Sequence, residues 1–187
     1  TSQHPVIWFL PYGDSPRQTQ ALDWLTANTY PAGSRWFGNA QVYGFASPSA
    51  APELLPASAS FSGQVQLVEA GVPSTIRAGD PVDVALRWQA IGRPRANYSV
   101  FVHLLDGTGT TVAQHDGWPA GGARPTSGWE PGAVVDDHHG LLTTTSLAPG
   151  RYQLETGLYD AAGGRLALDG GGGTSKVIGA VDVSATR

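Results

Sequence analysis

From Phe61 onward the chain repeats one device: a short run of alternating apolar and polar residues, closed by glycine, proline or aspartate. "VDVALRW" sets Val82, Val84, Leu86 and Trp88 on one side, and "LAPGRYQLETGLYD" does the same for Tyr152, Leu154, Thr156 and Leu158. A period of two is the signature of a strand with one face buried. "YSVFVHLLD" runs through "GTGT" into "TVAQHD" as a hairpin. "RLALD", the "GGGG" loop and "KVIGAVDVS" read as another, and "QVQLVE" and "VVDDHHGLL" complete the set. About eight strands is the size of an immunoglobulin-like β-sandwich. The 25 glycines and 14 prolines supply the turns that so many strands need, which favours a mainly β fold over a helical one. In "LAPGRY" a tight turn feeds Tyr152, whose hydroxyl is expected to bond back across the corner.

Residues 1–46 follow another pattern. "PVIWFLPY" suits a buried strand, and "DSPRQTQALDWLTAN" carries helix signals: Ser15 as N-cap, Pro16 at the first helical position and Gln18 completing a capping box. Ala21, Leu22, Trp24 and Leu25 then share a helical face. "SRWFGNAQVYGF" returns to strand composition, so the segment is expected to be a small strand-helix-strand unit packed on the sandwich, which takes residues 61–187. Residues 47–60, "SPSAAPELLPASAS", read as a linker because proline, alanine and serine dominate without periodicity.

Charge and composition remove several functions. A net charge of -4 without a Lys/Arg cluster argues against a nucleic-acid partner. The chain has no cysteine, hence no disulfide framework, thiolate nucleophile or zinc-thiolate site. No apolar run reaches the roughly 18 residues that cross a bilayer. A chain that begins at Thr1 and contains no methionine is expected to be a piece of a longer or processed protein.

The chemistry-bearing residues form two groups. "GWPAGGARPTSGWEPG", residues 117–132, places Trp118 and Trp129 among backbone breakers. An indole in such a loop either anchors it to a core or offers a flat surface to a sugar ring, with Asp116, Arg124 and Glu130 supplying hydrogen bonds. The second group is His103, His115, Asp116, Asp136, Asp137, His138 and His139. Alternation sets His103 opposite Gln114 and near Asp116, and puts Asp137 and His139 on one face of their strand. His103, Asp116, Asp137 and His139 are the set from which a divalent-metal site could be assembled. No fixed-spacing metal motif accompanies them; the expectation is ordinary His-to-carboxylate bonding, with no metal and no cofactor. Nor does the chain carry a G-x-S-x-G elbow, and "DGGGGTSK" lacks phosphate-loop spacing, so no catalytic residue is assigned.

Several stretches in this order, "QALDWLTANTYPAGSRWFG", "AGDPVDVALRWQA", "YSVFVHLLDGTGTTVAQHDGWP", "PTSGWEPGAVVDDHHGL" and "LAPGRYQLETGLYDAAGGRL", resemble the soluble C-terminal region of bacterial polytopic membrane glycosyltransferases. That is the lipid-linked-sugar-dependent group related to protein O-mannosyltransferases. The resemblance implies an extracytoplasmic domain, membrane-associated through its parent chain and partnered by the membrane-embedded half. It also implies a loop-anchoring role for Trp129. In that family the catalytic acids lie in a loop between membrane helices, so the implied role is non-catalytic: an accessory domain that positions an acceptor or glycan, and a fragment inert alone. The alternative reading is a free-standing carbohydrate-binding or adhesion module, and a third is a metal-dependent hydrolase.

Overall fold

The computed structural model describes residues 6–12, 15–47 and 51–185. The parts of the 1–46, 47–60 and 61–187 readings that fall on residues 1–5, 13–14, 48–50 and 186–187 lie outside them. Two antiparallel sheets face each other across one apolar core. One has the order β10-β7-β5-β4, built from β4 (Leu55–Phe61), β5 (Val65–Gly71), β7 (Val82–Ala90) and β10 (Val134–Leu141). The other has the order β6-β12-β11-β8-β9, built from β6 (Thr75–Arg77), β8 (Ser99–Leu105), β9 (Thr111–Gly117), β11 (Gly150–Tyr159) and β12 (Lys176–Ser184), with β6 alone running parallel to its neighbour. The chain is a mainly β protein with an immunoglobulin-like sandwich. Alternation explains it: Val82, Val84, Leu86 and Trp88 from β7 meet Val100, Val102 and Leu104 from β8 and Leu154 and Leu158 from β11 in the core.

Tyr152 makes the expected corner bond, its hydroxyl donating to the Ala148 carbonyl at 2.8 Å. Two segments differ from the sequence reading. Leu55–Phe61, of which residues 55–60 were placed in the linker, is an edge strand, with a register shift between Pro56 and Ala59 and Ser58 at φ 44. Pro56 is tolerated because an edge strand leaves one row of amides unpaired. "RLALD" makes only isolated bridges, Tyr159 to Arg165 and Phe61 to Leu168, and β12 pairs with β11 and β6 instead. Leu166 is buried in the core from this crossing segment, so its alternation serves packing without a ladder.

The N-terminal unit is a strand, a helix and a hairpin. β1 (Val6–Phe9), β2 (Tyr30–Phe37) and β3 (Ala40–Ala46) form a sheet of order β1-β3-β2, with α1 (Pro16–Asn28) between β1 and β2. "SRWFGNAQVYGF" is thus two strands turning at Gly38, where φ is 61. Ser15 is the N-cap residue and Pro16 opens the helix, but the Ser15 side chain makes no cap bond. Gln18 reaches back to the Tyr12 backbone instead of closing a capping box. Of the expected helical face, Leu25 is buried while Trp24 is 60% exposed.

Tyr30 and Ala46 pack on Ala85, and the Tyr30 ring stacks on His138 at 4.6 Å between centroids. This contact places the N-terminal sheet against the outer face of β7 and β10. Gly140 permits it, because a Cβ there would stand 2.9 Å from the Ala46 Cβ and 3.0 Å from the Tyr30 carbonyl oxygen.

Candidate functional site

β9 and β10 are edge strands of different sheets, and the sandwich is open between them. What closes the opening is polar. On β10 Asp137 and His139 share the inward face, each 1% exposed; on β9 His115 pairs with Val102 and so also points inward. The Nδ1 atoms of His115 and His139 are 2.7 Å apart, and His139 Nε2 lies 2.9 Å from Asp137 Oδ2.

The Asp137 carboxylate is surrounded by donors: Trp88 Nε1–H at 3.2 Å, the Ala120 amide at 2.9 Å and His139 Nε2. A carboxylate only accepts, so His139 donates to it from Nε2, and the neutral tautomer that carries this proton accepts at Nδ1. His115 must then donate from Nδ1, which leaves its Nε2 as an acceptor. Burial, reinforced by His139 and opposed by Asp137, pushes the His115 imidazole down to about 3, so it is neutral across the physiological range. Burial also lowers His138, on the outer face of the same strand.

A loop and the N-terminal unit complete the enclosure. After Trp118 the chain makes a tight turn over Pro119–Gly122, in which Ala120 takes φ 55 and Gly121 φ 61. Left-handed alanine is uncommon, and here the Asp137 bond to its amide holds it. A Cβ on Gly121 would fall 2.2 Å from the Thr26 Cγ2 of α1, so glycine is what lets the loop touch the helix. Between loop, helix, β2–β3 hairpin and sandwich lies a cavity of ≈ 360 Å³, with Leu22, Tyr43, Phe45 and Trp118 among its walls and His115 in its lining.

The residues singled out in the sequence scatter around this seam. Trp118 is 48% exposed and lines the cavity, whereas Trp129 is 2% exposed and its indole N–H donates to the Arg124 carbonyl at 3.0 Å. Trp129 therefore anchors the loop. Arg124 is exposed, and Glu130 is paired with Arg93. Asp116 lies on the outer face of the five-stranded sheet, paired with Phe101, and with burial it raises the Tyr159 hydroxyl. The five residues taken as a ligand set do not meet on one surface.

His103 sits opposite Gln114 as expected, 4.0 Å from Asp116 and 3.4 Å from Glu155. That is the far side of the sheet from Asp137 and His139. The set His103, Asp116, Asp137 and His139 is thus split by the sheet itself, and among the described residues no three His, Asp or Glu side chains are placed to hold a metal ion. His115, central to the seam, was one of the chemical residues in the sequence without an assigned role. Its signal was present: it alternates with Asp116 and pairs with core Val102.

No protein-family model matches the chain, and no curated protein matches it. Among solved structures the chain is similar to the C-terminal domain of Wzt, at a TM-score of 0.52 and 11% identity over 71% of this chain and 84% of that one. Two others are a CARDB domain from Pyrococcus furiosus in complex with di-metal ions and a Niemann-Pick type C2 protein from the Japanese carpenter ant. The first has a TM-score of 0.41 and 11% identity over 71% of this chain and 99% of that one. The second has a TM-score of 0.38 and 8% identity over 72% of this chain and 100% of that one. The Wzt likeness shows the fold, a β-sandwich.

Proposed function

We propose that the chain is a non-catalytic, extracytoplasmic accessory domain of a membrane glycosyltransferase, resting on the membrane-embedded half of its parent through the N-terminal unit. One observation carries this reading. Trp8, Tyr12, Trp24, Trp36 and Phe37 are 50 to 88% exposed and all belong to that unit, while the sandwich exposes a single large aromatic, Trp118, among the described residues. Solvent-facing aromatics gathered in one small element fit a surface made to be covered, and Trp and Tyr suit the boundary between water and lipid. Among the described residues no helix is long and apolar enough to cross a membrane, so under this reading the anchor belongs to the parent.

Immunoblotting source cells with antibody raised against this chain tests the proposal. The expected result is a band well above 19.5 kDa in the membrane fraction, resistant to salt extraction and digested by protease added outside intact spheroplasts. Transfer of sugar from a lipid carrier by the purified parent should fall when residues 1–187 are deleted. A 19.5 kDa species in the cytosolic fraction would overturn the proposal.

A second reading, carbohydrate binding, is favoured by Trp118 at the mouth of the seam cavity.

A further inference from the structure

We infer that the seam cavity between the N-terminal unit and the sandwich is a binding site for a neutral pyranose, seated with its C–H face on Trp118 and one hydroxyl donating to His115 Nε2. The inference deepens the carbohydrate-binding reading, on which it rests, and holds with or without a membrane partner.

Four features select this ligand. The first is size: ≈ 360 Å³ lies within the roughly 300–1,000 Å³ range of small-molecule sites. The second is the fixed acceptor. His115 Cδ2 lies 3.8 Å from where a Gly33 Cβ would be and Cε1 lies 3.5 Å from a Gly117 Cβ, so the two carbons that flank Nε2 neighbour two cavity-lining glycines. Its other nitrogen is committed to His139, which is committed to Asp137, so neither the tautomer nor the ring can turn.

The third feature is the half-exposed indole. Its loop is pinned on one side by the Ala120–Asp137 bond and on the other by Gly121 against Thr26, so it is presented without ordering on binding. The fourth is charge. Among the described residues no Lys or Arg lines the cavity, and its one carboxylate, Asp137, already accepts three hydrogen bonds, so nothing there would neutralise a phosphate or a uronate. A hydroxyl-bearing ring with an apolar face remains, and an anionic sugar is excluded.

The whole chain, titrated by calorimetry with the methyl pyranosides of glucose, galactose, mannose and rhamnose, should bind at least one saturably. Glucose 6-phosphate and glucuronate should not bind. Trp118→Ala, which removes a side chain outside the core, should weaken that binding about tenfold, the equivalent of one stacked aromatic face. In the unaltered protein the His115 Nε2 nitrogen resonance should move on binding while that of His139 Nε2 stays, a readout that needs no variant to fold. Silence with every neutral pyranoside, tighter binding of the anionic sugars, or pyranoside binding indifferent to Trp118→Ala would each overturn the inference.

Discussion

The Nδ1 atoms of His115 and His139 lie 2.7 Å apart across the open edge of the sandwich, so each ring fixes the proton of the other. The bond joins two sheets that no ladder joins there. It also makes stability depend on pH with a definite sign. Burial holds the folded His115 at about 3, below the ordinary 6.5, so between these values the unfolded chain takes up a proton that the folded chain refuses. The contribution is complete above pH 6.5 and is lost as the pH falls from 6.5 towards 3. Urea-unfolding midpoints should decline over that window, and His115→Gln should flatten the decline.

Asp83 acts in the opposite direction. It stands on β7 opposite Gly140, its Oδ1 is buried without a hydrogen-bond partner among the described residues, and burial raises its carboxyl to about 6. The unfolded carboxyl ionises near 3.8, so this contribution is fully present below pH 3.8 and is lost as the pH rises from there to 6. About 1–2 kcal/mol is at stake once solvent screening of a partly exposed group is allowed for. In Asp83→Asn the loss between pH 4 and 6 should vanish, and the variant should gain on the parent as the pH rises. Unfolding curves for the pair at pH 4, 5, 6 and 7 check this.

The strands of the sandwich were legible because each buries one face, and a period of two survives any topology. The edge strand Leu55–Phe61 was not, since "LPASASF" has little to alternate and owes its extension to pairing with β5. Within β10 the inward pair Asp137 and His139 could be read from alternation, and so could the outward His103 on β8. Nothing local reveals that β9 and β10 are abutting edges of separate sheets, and the seam exists only because they abut. Trp118 and Trp129 look alike in sequence, each preceded by glycine and followed closely by proline. Their fates diverge because Trp129 finds the Arg124 carbonyl inside the core boundary, while Trp118 precedes the turn that leans on α1.

Asp137→Asn should reverse the order of protons along the seam. An amide accepts only at its oxygen, and Ala120 N–H would claim that atom, leaving the amide nitrogen against His139 Nε2 and the Trp88 indole N–H. His139 then accepts at Nε2 and donates from Nδ1, so His115 accepts at Nδ1 and presents Nε2–H to the cavity. Trp88 loses its acceptor, which costs about 1–3 kcal/mol. Long-range nitrogen-proton correlation spectra should show both histidines exchanging tautomers, with a lowered melting temperature.

The two indoles of the loop should separate cleanly in stability. Trp129→Ala opens a void beside the core and removes a bonded N–H, and a loss of about 3–5 kcal/mol is expected. Trp118→Ala removes a half-exposed side chain and should shift stability by less than about 1 kcal/mol. Thermal and urea unfolding of both variants measure the contrast; equal losses would mean that Trp118 also belongs to the packing.

Gly140→Ala should loosen the N-terminal sheet without melting the sandwich. The new methyl would meet the Ala46 Cβ at 2.9 Å, the Tyr30 carbonyl oxygen at 3.0 Å and the Ala32 Cβ at 3.1 Å, all on β2 and β3. One contact is backbone, so relief requires the sheet to lift, at about 1–3 kcal/mol. The inward face of β10 is untouched, so Asp137 and His139 keep their partners and the core keeps its volume. Hydrogen exchange read by mass spectrometry should therefore speed up in Tyr30–Phe37 and Ala40–Ala46 and stay slow in Val82–Ala90 and Gly150–Tyr159. Because the cavity takes its outer wall from the same hairpin, this variant should also bind any seam ligand more weakly than the parent, although residue 140 does not line the cavity.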